Sequence, residues 1–151
     1  MTAMRKVLDS NKVFVLALVW LSVLLAAHLW PASTWLEVRK VVAGPAKAGE
    51  RVPMIVDREV HRPFLGTWTV TIRKWSEDGP VIYCTATGTS QYSTAADLPR
   101  DLTLHWWTDG KCPALTAGKY VISTAWRIDP MLPFLPAKHV QAESNIFEVT
   151  P

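Results

Sequence analysis

An uncharged stretch near the N-terminus, Val13–Trp30, constrains this chain more than any other feature: V-F-V-L-A-L-V-W-L-S-V-L-L-A-A-H-L-W. At ~1.5 Å of helix rise per residue it reaches about 27 Å, close to the thickness of a bilayer's hydrocarbon core. The expectation is a membrane-spanning helix rather than a cleaved signal peptide. A signal peptide carries a shorter apolar region, roughly 7–15 residues, and then small residues at the cut. Here the run ends in His28-Leu29-Trp30-Pro31, and a cut after Ala27 would put Leu25 where a small side chain is needed. Trp30 and Trp35 suit an interfacial belt, where an amphipathic ring sits at headgroup level.

This stretch divides the chain into a tail (1–12), a span (13–30), a linker (31–35) and one domain (36–151). About 115 residues are enough to bury a core without metals or many cross-links. Arg5, Lys6 and Lys12 stand against Asp9 before the span, whereas Arg39 and Lys40, with Glu37, come only some way after it. The basic side stays in the cytoplasm, so the domain is expected outside. In a bacterium that means a single-pass inner-membrane protein with its C-terminal domain in the periplasm. The formal charge is +3 and the basic residues are scattered, which argues against a nucleic-acid partner.

Beyond Pro31 the pattern alternates, with turn signals at short intervals, and no helical period persists. Strands are expected at 36–42, 51–60, 66–75, 81–88, 102–108, 120–128 and 140–149. In the second, Val52, Met54, Val56 and Val60 face inward. In the third, Trp68, Val70 and Ile72 share the inner face, and Thr67, Thr69, Thr71 and Arg73 the outer one. Ser76-Glu77-Asp78-Gly79-Pro80 makes a hairpin turn. About seven strands with turns every 8–12 residues describe an all-β sandwich of immunoglobulin or fibronectin-III type. An inward Trp68 on the third strand fits that fold. Leu115-Thr116-Ala117-Gly118-Lys119-Tyr120 resembles the tyrosine corner of such sandwiches, in which the Tyr120 hydroxyl bonds back to backbone just upstream. The whole chain is similar in general pattern to small single-span bacterial and prophage envelope proteins with an Ig-like exported domain. That resemblance implies a fold and a location and carries no site residues.

The cysteine count is even, at 2. Cys84 follows the Asp78-Gly79 turn and Cys112 precedes the sixth strand. The sandwich topology places both at one pole, and an exported domain favours a disulfide between them. Neither lies in C-x-x-C, so a catalytic or metal-binding thiol is not expected.

No catalytic motif, cofactor fingerprint or metal motif appears, and no enzymatic activity, cofactor, metal or small-molecule substrate is expected. Asp57, Glu59 and His61 alternate along one strand face, where a solvated face neutralised by Arg58 and Arg62 is the plainer reading than a cation site. His105 lies near no carboxylate in sequence. Trp106 and Trp107 are adjacent on an expected strand. Parity with Leu102 and Leu104 puts Trp106 inside and Trp107 outside, as a candidate partner contact.

Asp129-Pro130-Met131-Leu132-Pro133-Phe134-Leu135-Pro136 is too rich in proline for regular sheet and too apolar to leave in water without reason. Arg62-Pro63-Phe64-Leu65-Gly66 is also an apolar connection. In an Ig-type sandwich both loops lie at the pole where the first strand begins, here the end nearest the span. Two readings stand: the loops dock onto lipid or a partner's span, or they close over the domain's own core. The expected contact residues are Phe64, Leu65, Trp107, Met131, Leu132, Phe134 and Leu135. The function expected is a membrane-anchored protein-binding module with an envelope or inner-membrane partner. It would serve as an accessory subunit of an envelope complex or a phage-encoded lysis or exclusion factor. The alternative is a structural or chaperone-like β-sandwich released by signal cleavage.

Overall fold

The computed structural model describes residues 2–95, 98–131 and 135–151. It is mostly β, in two sheets, behind one N-terminal apolar helix, α1 (Thr2–Leu29). Within α1, Asn11–Leu29 is 19 residues long with mean hydropathy 2.2, long and apolar enough to cross a membrane. Pro31 breaks the helix, and a single 3₁₀ turn, Ala32–Thr34, leads into the domain.

The strands are β1 (Leu36–Ala43), β2 (Ala46–Lys47), β3 (Pro53–Val60), β4 (Phe64–Ser76), β5 (Gly79–Tyr92), β6 (Asp101–Thr103), β7 (Gly118–Pro130), β8 (Lys138–Glu143) and β9 (Phe147–Thr150). A helical turn, α2 (Leu104–Trp107), follows β6. The smaller sheet runs β1-β3-β6. The larger runs β2-β9-β7-β4-β5, with β8 on the same side of β7 as β9. β4 is central because it pairs along most of its length with β5 on one side and β7 on the other.

Alternation puts the core between the sheets. Met54 and Val56 from β3 meet Val70 and Ile72 from β4 and Tyr120, Ile122, Trp126 and Ile128 from β7, all buried in one cluster. At about 25 cal/mol per Å² of apolar surface removed from water, these side chains supply most of the drive to fold. The threonines of β4 face the other way and are half-exposed.

Among the described residues there are nine strands, against seven expected. β2 is a separate two-residue edge, parallel to β9. The last expected strand is broken where Ser144 intervenes, its N–H bonding Ile122 O (2.8 Å) and its Oγ accepting from Ile122 N (3.0 Å). The expected strand 102–108 is corrected more deeply, because it stops after Thr103. The Thr103 hydroxyl accepts from Trp106 N–H at 3.3 Å, Thr108 N–H closes the turn on Leu104 O at 2.9 Å, and Asp109 and Gly110 end it with φ of 54° and 66°.

Candidate functional site

Two regions of the molecule combine chemistry with exposure. The first is a collar where α1 meets the domain. Lys138, at the start of β8, is buried and donates from Nζ to the carbonyls of Ala27 and His28, each at 2.8 Å. Carbonyls in the last turn of a helix have no partner within it, so a cation there satisfies two of them and complements the helix dipole. Ala27 is itself part of the core cluster. Arg62 lies over the rings of Trp30 (5.0 Å) and Trp35 (5.8 Å), which meet edge to face at 5.8 Å.

The apolar loop residues divide at this collar. Leu65 is 51% exposed and Met131 58%. Leu132 and Phe134 lie outside the described residues. Phe64 and Leu135 are in the core cluster, which corrects the expectation that they face a partner. Phe64 opens β4 rather than lying in a loop. Its ring stacks on Tyr92 at 4.7 Å and 11°. Gly66 makes this possible, since a Cβ there would stand 2.6 Å from Tyr92 Cε2.

The second region is a cleft of about 870 Å³ on the open side of the sheet stack. It exists because the smaller sheet ends at β6 and α2 and leaves part of the larger sheet uncovered. Trp68 and Trp126, register partners on β4 and β7, form its floor, and Trp106, Trp107 and Arg58 its far wall. Trp68 thus shares the inner face but is only half-buried. Gly88, opposite it on β5, leaves room for its ring, because a Cβ there would overlap the indole. Since α2 is helical, the expected parity is reversed. Trp107 is 8% exposed and Trp106 54%. Trp107 Nε1 donates to the buried Thr124 Oγ1 at 3.0 Å, and its ring meets Trp126 edge to face at 5.9 Å.

Arg58 is the residue that sequence reasoning misplaced. Its position between Asp57 and Glu59 favours a charge that neutralises a solvated face nearby. The signal was present, since Arg58 continues the inward parity of Val52, Met54 and Val56. Its guanidinium carbon lies 4.5 Å from the Trp107 ring centroid. Nε and Nη1 are sealed from water and have no hydrogen-bond partner among the described residues. Burial pulls the Arg58 guanidinium below the ordinary arginine range and pushes the Tyr92 hydroxyl above the ordinary tyrosine range.

The rim of the cleft is tied down by a disulfide, Cys84–Cys112, which links β5 to the loop after α2. Lys111 Nζ donates to Thr87 O at 2.7 Å, and Tyr83 Oη to Ala114 O at 2.8 Å, across the same gap. The Tyr120 hydroxyl donates to Thr116 O at 2.8 Å, the bond anticipated for a tyrosine corner.

The acidic face of β3 is arranged differently from the sequence reading. Asp57 faces Arg100 at 3.8 Å, whereas Glu59 and His61 gather with Glu37 of β1. Arg39 bonds both Glu37 and Glu59, and His61 Nε2 lies 3.2 Å from Glu37. The hydrogen bonds from Arg39 and then His61 hold the exposed Glu37 carboxyl below its ordinary range. These carboxylates are already occupied by cationic side chains.

Comparison with known proteins gives no match, either to a protein-family model or to a curated protein.

Proposed function

We propose that this chain is a single-pass bacterial inner-membrane protein whose β-domain acts in the periplasm as a non-enzymatic module binding another envelope protein. The observation that carries the proposal is the Lys138 cap on Ala27 and His28. It ties the domain to the end of the apolar helix, so in this reading Trp30, Leu65 and Met131 lie at the bilayer surface. The cap also speaks against release by signal cleavage. A cut before Ser33 would remove Ala27 from the core and take away both carbonyls that Lys138 bonds. The two facing sheets, β1-β3-β6 and β2-β9-β7-β4-β5, and the Tyr120 bond support an Ig-like sandwich. The binding role covers both an accessory subunit of an envelope complex and a phage-encoded lysis or exclusion factor.

The test is photocrosslinking in intact cells from p-benzoylphenylalanine placed at Leu65 or Met131, with Glu77 as a control on the hairpin turn. The expected result is a discrete protein adduct from the collar positions and none from Glu77. Adducts to lipid alone, or a mature mass lacking residues 1–32, overturn the reading.

A further inference from the structure

The tryptophan cleft lies apart from the collar, and the groups it exposes are not those of Arg58, whose Nε and Nη1 are sealed from water. Trp106 is 54% exposed, although the neighbouring Trp107 is only 8% exposed. The single turn α2 produces this difference. The Thr103 hydroxyl holds Trp106 N–H at 3.3 Å, and Trp107 is pinned through Nε1 to Thr124. The Trp106 ring lies 6.4 Å from that of Trp107 at 27°, so a buried ring backs it. Trp68 on the floor is half-exposed, with Lys111 Nζ 5.2 Å from its ring. Trp106 is therefore the open plate, rigid and apolar, set in place before any ligand arrives.

Polar groups stand beside this plate. Ser90 has the parity of Gly88, which faces Trp68 across the β4–β5 pair, so its hydroxyl turns to the cleft side of the sheet. Gln91 lines the same edge, and Asp109 and Lys111, 3.2 Å apart, line the mouth. A hydroxyl and an amide both donate and accept. A wholly apolar ligand would take them out of water without replacing their hydrogen bonds. The matching ligand has a flat apolar face and a rim of groups that donate and accept. A pyranose with equatorial hydroxyls has this form, since its axial C–H bonds make the face and its hydroxyls radiate in the plane. Being neutral, it makes no demand on the charges around the cleft. The volume of about 870 Å³ is in the range of small-molecule sites and exceeds what one such ring fills.

We infer that the cleft binds a neutral oligosaccharide, with one pyranose ring stacked on Trp106 and its hydroxyls bonded by Ser90 and Gln91. Plain and N-acetylated hexoses share this chemistry. The site is independent of the collar, so an absence of crosslinked protein partners leaves it standing.

The experiment is saturation-transfer NMR on the sugar, with the full chain in phosphatidylcholine nanodiscs free of glycoside detergent. The probes are cellobiose and N,N′-diacetylchitobiose. The control is sorbitol, which has the hydroxyls and no ring face. Transfer is expected to at least one disaccharide, concentrated on the axial protons of one face of one ring (H1, H3 and H5, or H2 and H4), and none to sorbitol. The disaccharide that binds more tightly shows whether the N-acetyl group is read. W106A is expected to weaken binding roughly tenfold, and W106F, which keeps a flat ring, to recover part of it. S90A is expected to weaken binding roughly two- to tenfold. No transfer to either disaccharide, or equal transfer to sorbitol, overturns the inference with the unmodified protein alone. Full binding by W106A, or transfer spread evenly over both ring faces, overturns the stacking on Trp106.

Discussion

Opening the Cys84–Cys112 bridge should destabilise the β-domain by ~3.6 kcal/mol at 25 °C. The figure is the chain entropy that a cross-link removes from the unfolded state at a sequence separation of 28 residues. The bridge joins two segments that also share the Lys111–Thr87 and Tyr83–Ala114 hydrogen bonds. The native arrangement should therefore survive reduction, with the loss expressed almost wholly through the unfolded chain. Urea unfolding of the full chain in nanodiscs, read by tryptophan emission with and without a phosphine reductant, measures it. With a slope of about 1.5–2 kcal/mol/M the midpoint should fall by roughly 2 M. Reduced protein keeps both sulfurs in place, so it separates chain entropy from packing. A Cys84→Ala/Cys112→Ala double variant should lose at least as much. A loss below about 1 kcal/mol in the reduced protein would refute the reasoning, because the bridge would then constrain a segment already held in the unfolded state.

Tyr120→Phe removes the hydroxyl that donates to Thr116 O and leaves that carbonyl short of a partner, whereas Thr116 Oγ1 keeps its bond from Lys74 Nζ. The same urea titration should show a loss of about 1–2 kcal/mol with an unchanged slope. The Glu37 carboxyl titrates below the ordinary glutamate range because Arg39 and His61 bond its charged form. Its folded value is thus depressed, and the stability it contributes is present above the unfolded value and lost as pH falls through the folded one. A carboxyl NMR titration should find Glu37 low in the unmodified protein and shifted upward in R39Q. An unchanged midpoint in R39Q would break the assignment.

Much of the β architecture was legible because burial enforces a period of two. The Thr67–Arg73 alternation defined β4, and Leu115–Tyr120 located the bond that Tyr120 makes. The disulfide followed from cysteine count and topology. What escaped the sequence had short-range causes. Leu104-His105-Trp106-Trp107 is too short for its period to separate strand from helix, and the deciding features were the Thr103 hydroxyl and the left-handed Asp109-Gly110 pair. That one misreading exchanged Trp106 and Trp107, and with them hid the cleft. Phe64 looked like loop because Pro63 precedes it, but pairing on both sides extends β4 back to that residue. Arg58 was misplaced because its charge outweighed its parity. An inward arginine is costly in a closed core and tolerable only where the two sheets fail to cover one another.

Because Lys138 grips the last carbonyls of α1, the domain has no free swivel there. A helix advances about 100° per residue, so adding or deleting one residue just before Ala27 would swing the tryptophan cleft through more than a quarter circle about the helix axis. Where α1 packs side by side with another helix, the face it presents therefore decides the compass bearing of the cleft.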